Sequence, residues 1–166
     1  MPGPAGIKTL LRFAEALART LADAGFPVDA DDIPPGVTEA DVVIFAGLSG
    51  DYNVLHTDAE HMKASIFGER IAHGLLGLAI SSGLGTRAMA KPYATLAFLG
   101  LRWRFKGPIK IGDTIKVRLT VKQKTAKETP EGGVPQGVVA WDVEVTNQHG
   151  ELVASYDILT LVAKRG

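Results

Sequence analysis

The sequence predicts an α+β domain in which one antiparallel sheet covers a buried helix. Up to about residue 90 the chain reads as helices and loops, whereas from Ala94 onward apolar residues recur with a period of two. Between these halves, Leu75, Leu76, Leu78, Ile80, Leu84 and Met89 form a stretch apolar on nearly every side, the mark of a buried helix. Its small residues, Gly77, Ser81, Ser82, Gly83 and Gly85, let another backbone approach closely. A doubly wound parallel sheet would alternate strand with helix, and this chain does not.

At 166 residues the chain has enough interior for one domain without staples. Lys plus Arg number 18 and Asp plus Glu 18, so the net charge is zero. That argues against nucleic acid as the main partner, because neutralising phosphates needs a basic excess. Cysteine is absent, which excludes disulfides, thiol catalysis and Cys-ligated zinc. No apolar run is long enough to cross a bilayer, and a cytoplasmic location fits.

In order, residues 5–24 carry Ile7, Leu10, Leu11, Ala14, Leu17 and Leu21 at helical spacing, stopped by Gly25 and Pro27. An amphipathic structural helix is expected there, since Glu15 and Asp23 count against a transit peptide. Residues 26–37, rich in Asp and Pro, read as a connector, a poor helix and a poor central strand. Residues 1–37 are thus expected as an N-terminal extension and 38–166 as the main domain.

Thr38 and Asp41 form a capping-box pattern that starts a helix, which should fail near Gly47. A second capped start, Thr57-Asp58-Ala59-Glu60, leads into a short helix with Met62. Residues 66–72 are turn-rich, and the buried helix begins at His73-Gly74. Ala94–Phe105 reads as a strand interrupted at Gly100. Ile115, Val117, Leu119 and Val121 alternate with Lys116, Arg118, Thr120 and Lys122 as a half-buried strand. Val139, Trp141, Val143 and Val145 mark the next strand, and Leu152–Ala163 the last.

The chemistry gathers in Phe45–His56, where Asp51, Asn53 and His56 follow a Ser-Gly pair that can turn the chain. A carboxylate serves as a base, and an imidazole as acid or base near neutral pH. Spacing alone leaves two readings open: a turn with a structural histidine, or an acid–base pair. His56 and His61 are five apart and do not make a zinc pattern, so no metal is expected. No dinucleotide or phosphate loop is present, so no cofactor is expected. Gly74, at a helix start, offers a backbone N–H without an intrahelical acceptor. It is either a tight turn into the helix or a donor to an oxyanion.

Phe45–Ser65 resembles the hydratase motif of the MaoC-like, (R)-specific enoyl-CoA hydratases: aromatic Phe45, the Ser49-Gly50-Asp51-Tyr52-Asn53 core, His56 and small Ser65. Arg70-Ile71-Ala72-His73-Gly74 resembles the second landmark of that family. The resemblance runs to about Ala163. It implies a hotdog fold, usually dimeric, here with an added N-terminal helix. It also implies Asp51 and His56 as the catalytic pair, Asn53 as loop support and the Gly74 N–H as oxyanion donor. His73 and Ser82 would belong to the substrate site. Two departures stand out: Val54 replaces the usual Pro, and the N-terminal helix replaces a short opening strand.

The implied reaction is reversible hydration of a trans-2-enoyl thioester, on CoA or acyl carrier protein, to the (R)-3-hydroxyacyl thioester. Asp51 would take a proton from water reaching C3, and His56 would help deliver one to C2. The alternatives are a hotdog thioesterase and a non-catalytic thioester-binding subunit. A homodimer or higher homo-oligomer is expected.

Overall fold

The computed structural model describes residues 28–31, 36–88, 95–129 and 131–164. The helix expected at 5–24 lies outside the described residues. Five strands, β1 (Val28–Asp31), β2 (Thr95–Phe105), β3 (Lys116–Ala126), β4 (Gln136–Thr146) and β5 (Leu152–Ala163), form one sheet of order β1-β3-β4-β5-β2. Every pairing is antiparallel. Among the described residues, four helices lie between β1 and β2: α1 (Glu39–Ser49), α2 (Val54–Thr57), α3 (Ala59–Lys63) and α4 (Gly74–Ala88).

The period-two reading places β3 and β4 on the right face. Val117 and Leu119 are buried while Arg118 is exposed, and Val143 and Val145 are buried while Asp142 and Glu144 are exposed. On β5, Tyr156 and Ile158 complete the same core. The expected break in β2 is real: the register with β5 shifts between Phe98 and Gly100. Trp141 is half-buried, and its Nε1 donates to Thr160 Oγ1 at 3.0 Å.

Two expectations are corrected. Val28–Asp31, read as connector, pairs with Leu119–Lys116 as an edge strand. A Pro-rich flank bars a long central strand but tolerates four residues at an edge. The helix α4 is buried on one side only. Leu76, Gly77, Ser81, Leu84 and Gly85 are buried, but Leu75 is 61% exposed and Ser82 is exposed. A single sheet covers a single side of a helix, so the other side of α4 stays open among the described residues.

The seam between α4 and the sheet holds the large core side chains. Leu84 and Tyr156 are essentially fully buried, each contributing about 1.5–3 kcal/mol of apolar burial. Trp103 stacks against Tyr156 with ring centroids 4.9 Å apart. Tyr156 Oη and Trp103 Nε1 are buried without a hydrogen-bond partner among the described residues. Burial pushes the Tyr156 phenol up, and the nearby Ser81 hydroxyl works weakly the other way. Ser81 gives its own proton to Leu78 O at 2.9 Å.

Candidate active site

The site begins with how α1 ends. Thr38 starts α1 with the expected capping box: Asp41 N–H donates to Thr38 Oγ1, and Thr38 N–H to Asp41 Oδ2 at 2.7 Å. Such a cap contributes about 1 kcal/mol. The helix runs to Ser49, two residues beyond the expected stop. Gly50 closes it with φ 75°, a left-handed conformation that glycine adopts without steric cost, and its N–H reaches Ala46 O at 2.8 Å. Glu39 is also held by Arg70, whose two guanidinium nitrogens donate to its two carboxylate oxygens at 2.8 and 2.6 Å. That pairing draws the Glu39 carboxyl below its ordinary value and fixes the 66–72 turn against α1.

Past Gly50 the chain is a string of local hydrogen bonds. Ser49 Oγ donates to Phe45 O at 2.7 Å and accepts Asp51 N–H at 3.2 Å. The Asp51 carboxylate accepts Asn53 N–H at 3.2 Å. Asn53 Oδ1 accepts Leu55 N–H at 3.0 Å and so caps α2. Asn53 therefore supports the loop through its side chain. Asp51 remains exposed, whereas α2 turns His56 inward to 7% exposure.

Val54 is the first residue of α2, directly after a cap at φ −56°, ψ 141°. A first helical position needs no N–H partner, and that cap conformation is the one favoured before proline. The site therefore keeps the geometry a proline would impose. Val54→Pro is expected to leave activity unchanged and raise stability by about 0.4–1 kcal/mol, read by denaturant unfolding. A loss of stability would mean that the Val54 N–H or side chain holds the loop.

Two histidines face this loop. His56 Nδ1 lies 2.7 Å from Ile71 O. A carbonyl only accepts, so Nδ1 carries hydrogen and the neutral ring presents its lone pair at Nε2. His73 Nε2 lies 2.9 Å from Asp51 O and donates to it by the same argument. The two rings stack with centroids 3.9 Å apart and planes 31° apart, and Phe45 packs on His73 at 5.0 Å. One candidate ligand atom each from Asp51, His56 and His73 fall within 4.8 Å of one another. This donor set suits a divalent cation on residue type. His56 Nδ1 and His73 Nε2 are already committed to main-chain carbonyls, which leaves one ring nitrogen on each.

Gly74 follows His73 as the first residue of α4, so its N–H has no acceptor within the helix. A Cβ added there would stand 2.4 Å from Phe105 Cε1. The structure thus brings Asp51, Asn53, His56, His73 and Gly74 together. Ser82 is separate, two turns along α4 on its open face, about 12 Å down the helix axis. Sequence reasoning missed Ile71 and Phe105. Ile71 acts through its carbonyl, and no letter marks that role. Phe105 carried a signal, an apolar residue at the end of β2. A surface cavity of about 390 Å³ lies elsewhere, lined by Lys106, Lys110, Asp113, His149 and their neighbours, and includes none of the expected site residues.

One antiparallel sheet with a helix on its face, and a carboxylate and imidazole at the head of that helix, define a hotdog-fold domain with a polar site. The fold is shared with a Mycobacterium tuberculosis protein that has a double hotdog fold, at TM-score 0.69 and 20% identity over 83% of this chain and 43% of that one. Residues 23–141 match the MaoC-like domain, and the chain belongs to the MaoC-like dehydratase domain family. It is similar to 3-hydroxyacyl-thioester dehydratase Z of M. tuberculosis, 31% identical over 92% of this chain and 100% of that protein. Protein MaoC of Klebsiella aerogenes is 47% identical over 55% of this chain, and the match spans only 27% of that longer protein. The unliganded R-hydratase of Pseudomonas aeruginosa superposes with TM-score 0.69 at 31% identity, over 85% of this chain and 82% of that one. No helix among the described residues is long and apolar enough to cross a membrane.

Proposed function

We propose that this chain catalyses the reversible hydration of a trans-2-enoyl thioester to the (R)-3-hydroxyacyl thioester. The observation that carries this reading is the approach of the Asp51 carboxylate and the His56 imidazole beside the N-terminus of α4. The relatives, a 3-hydroxyacyl-thioester dehydratase and an R-hydratase, support the same chemistry.

In this mechanism water sits between Asp51 and His56 Nε2. Its oxygen bonds to C3 as Asp51 takes one of its protons. Asp51 passes that proton to the lone pair at His56 Nε2, and the imidazolium so formed gives it to C2, which returns both residues to their starting states. The bond to Ile71 O holds the His56 ring so that Nε2 is the nitrogen that faces the water. Charge builds on the thioester oxygen, and the Gly74 N–H meets it with the positive end of the α4 dipole behind it. Such a donor contributes on the order of 3 kcal/mol to the transition state. The acyl chain lies along the open side of α4, where Ser82 is a contact.

The same open side supports assembly with a second copy. Leu75 on α4 and Phe98, Leu99 and Phe105 on the edge strand β2 are all at least half exposed. An apolar, unpaired edge of this kind calls for a cover. The substrate is taken as the CoA or acyl-carrier-protein thioester, with no cofactor.

The test is a set of assays on the purified chain with enoyl-CoA substrates of increasing length, with chiral analysis of the product. Formation of the (R)-3-hydroxyacyl thioester is expected. Release of free thiol without hydration would make the chain a thioesterase, and binding without turnover would make it a non-catalytic subunit.

A further inference from the structure

We propose that His73 is a positioning residue that aligns both members of the Asp51/His56 pair and does not touch the substrate. This rests on the hydratase reading above. His73 is 1% exposed, too buried to meet a docking thioester directly. Two of its ring contacts go to the two reacting residues. Nε2–H grips the main-chain carbonyl of Asp51 from 22 residues away. The ring face lies 3.9 Å from the His56 ring. The side-chain hydrogen bonds within the 49–53 turn are local, so this long-range link docks the Asp51 turn on the head of α4. Nδ1 is buried and has no hydrogen-bond partner among the described residues. Phe45 packs on the same ring and limits its movement. Misplacing a reacting group by about 1 Å can cost about 100-fold in rate.

Three variants separate the two contacts. His73→Gln keeps an N–H donor near the Nε2 position and loses the ring. His73→Phe keeps a ring face and loses the donor. His73→Ala loses both. The expected result is a fall in kcat of about 10- to 100-fold for Gln and Phe and more for Ala, with KM nearly unchanged. Partial rescue by Gln and by Phe relative to Ala is a signature that packing alone does not produce. A rise in KM with kcat unchanged would make His73 a substrate contact and overturn the proposal. Equal, near wild-type kcat in folded Gln and Phe variants would overturn it as well. Should the Ala variant not fold, Gln and Phe still decide the question.

A second readout does not depend on turnover. Amide signals of residues 49–53 are expected to shift and to exchange faster in His73→Phe than in wild type, and the His56 ring signals to shift in His73→Gln. Unmoved signals in both variants would overturn the positioning role. A wild-type protein without hydratase activity would overturn the functional reading while leaving this readout intact.

Discussion

Asp51→Asn is expected to lower enoyl-CoA hydration by about 100- to 10,000-fold while the protein stays folded. The variant isolates the base. An Asn side-chain oxygen still accepts the Asn53 N–H, so the turn is retained and only the proton acceptor is lost. His56→Ala is expected to cost as much in rate, but it also leaves a buried hole and strips Ile71 O of its donor. That second effect costs about 1–3 kcal/mol of stability. His56→Asn separates the two, because its amide N–H can reach the Nδ1 position and donate to Ile71 O. It should recover stability and not activity. If the pair acts as one unit on one water, the double variant loses little more than either single one. Circular dichroism and denaturant unfolding check the fold, and initial rates with crotonyl-CoA check the chemistry. Near wild-type turnover in both single variants would sink the assignment.

Gly74→Ala is expected to cost about 100-fold in kcat/KM, although it leaves the N–H in place. The new methyl would lie 2.4 Å from Phe105 Cε1 and 2.7 Å from Cζ. Phe105 is 64% exposed, so its ring can swing away, and the stability loss should stay within about 1–3 kcal/mol. In the proposed mechanism the methyl and the displaced ring then stand in the path of the thioester oxygen to the N–H. Gly74→Ala combined with Phe105→Leu removes the clash. Stability should return, while activity should not, because the methyl remains. Full recovery of activity in the double variant would show that the site does not need a bare Cα at residue 74.

Much of this fold was legible wherever a rule of spacing applies. The alternation of Val117 and Leu119 with Arg118 set the buried face of β3, and the Thr38/Asp41 pattern announced the start of α1. The small and apolar residues after His73 announced α4. The edge strand β1 was not legible, because four residues among Asp and Pro become a strand only when β3 offers a partner. The open side of α4 was not legible either. Hydropathy reports that a helix wants covering, and it cannot report which of its sides the sheet covers.

The sequence by itself determined the cast of the site: an acid, an amide and an imidazole within six residues, and a His-Gly pair at the head of an apolar helix. Only the tertiary structure decided which nitrogen of each histidine carries hydrogen and which way each ring points. Both rings are set by main-chain carbonyls, Ile71 O for His56 and Asp51 O for His73, across 15 and 22 residues. Nearly every residue presents the same carbonyl, so no side chain in the sequence identifies these acceptors. They are chosen when the 66–73 turn folds back along α2 and delivers His73 beneath the Asp51 turn.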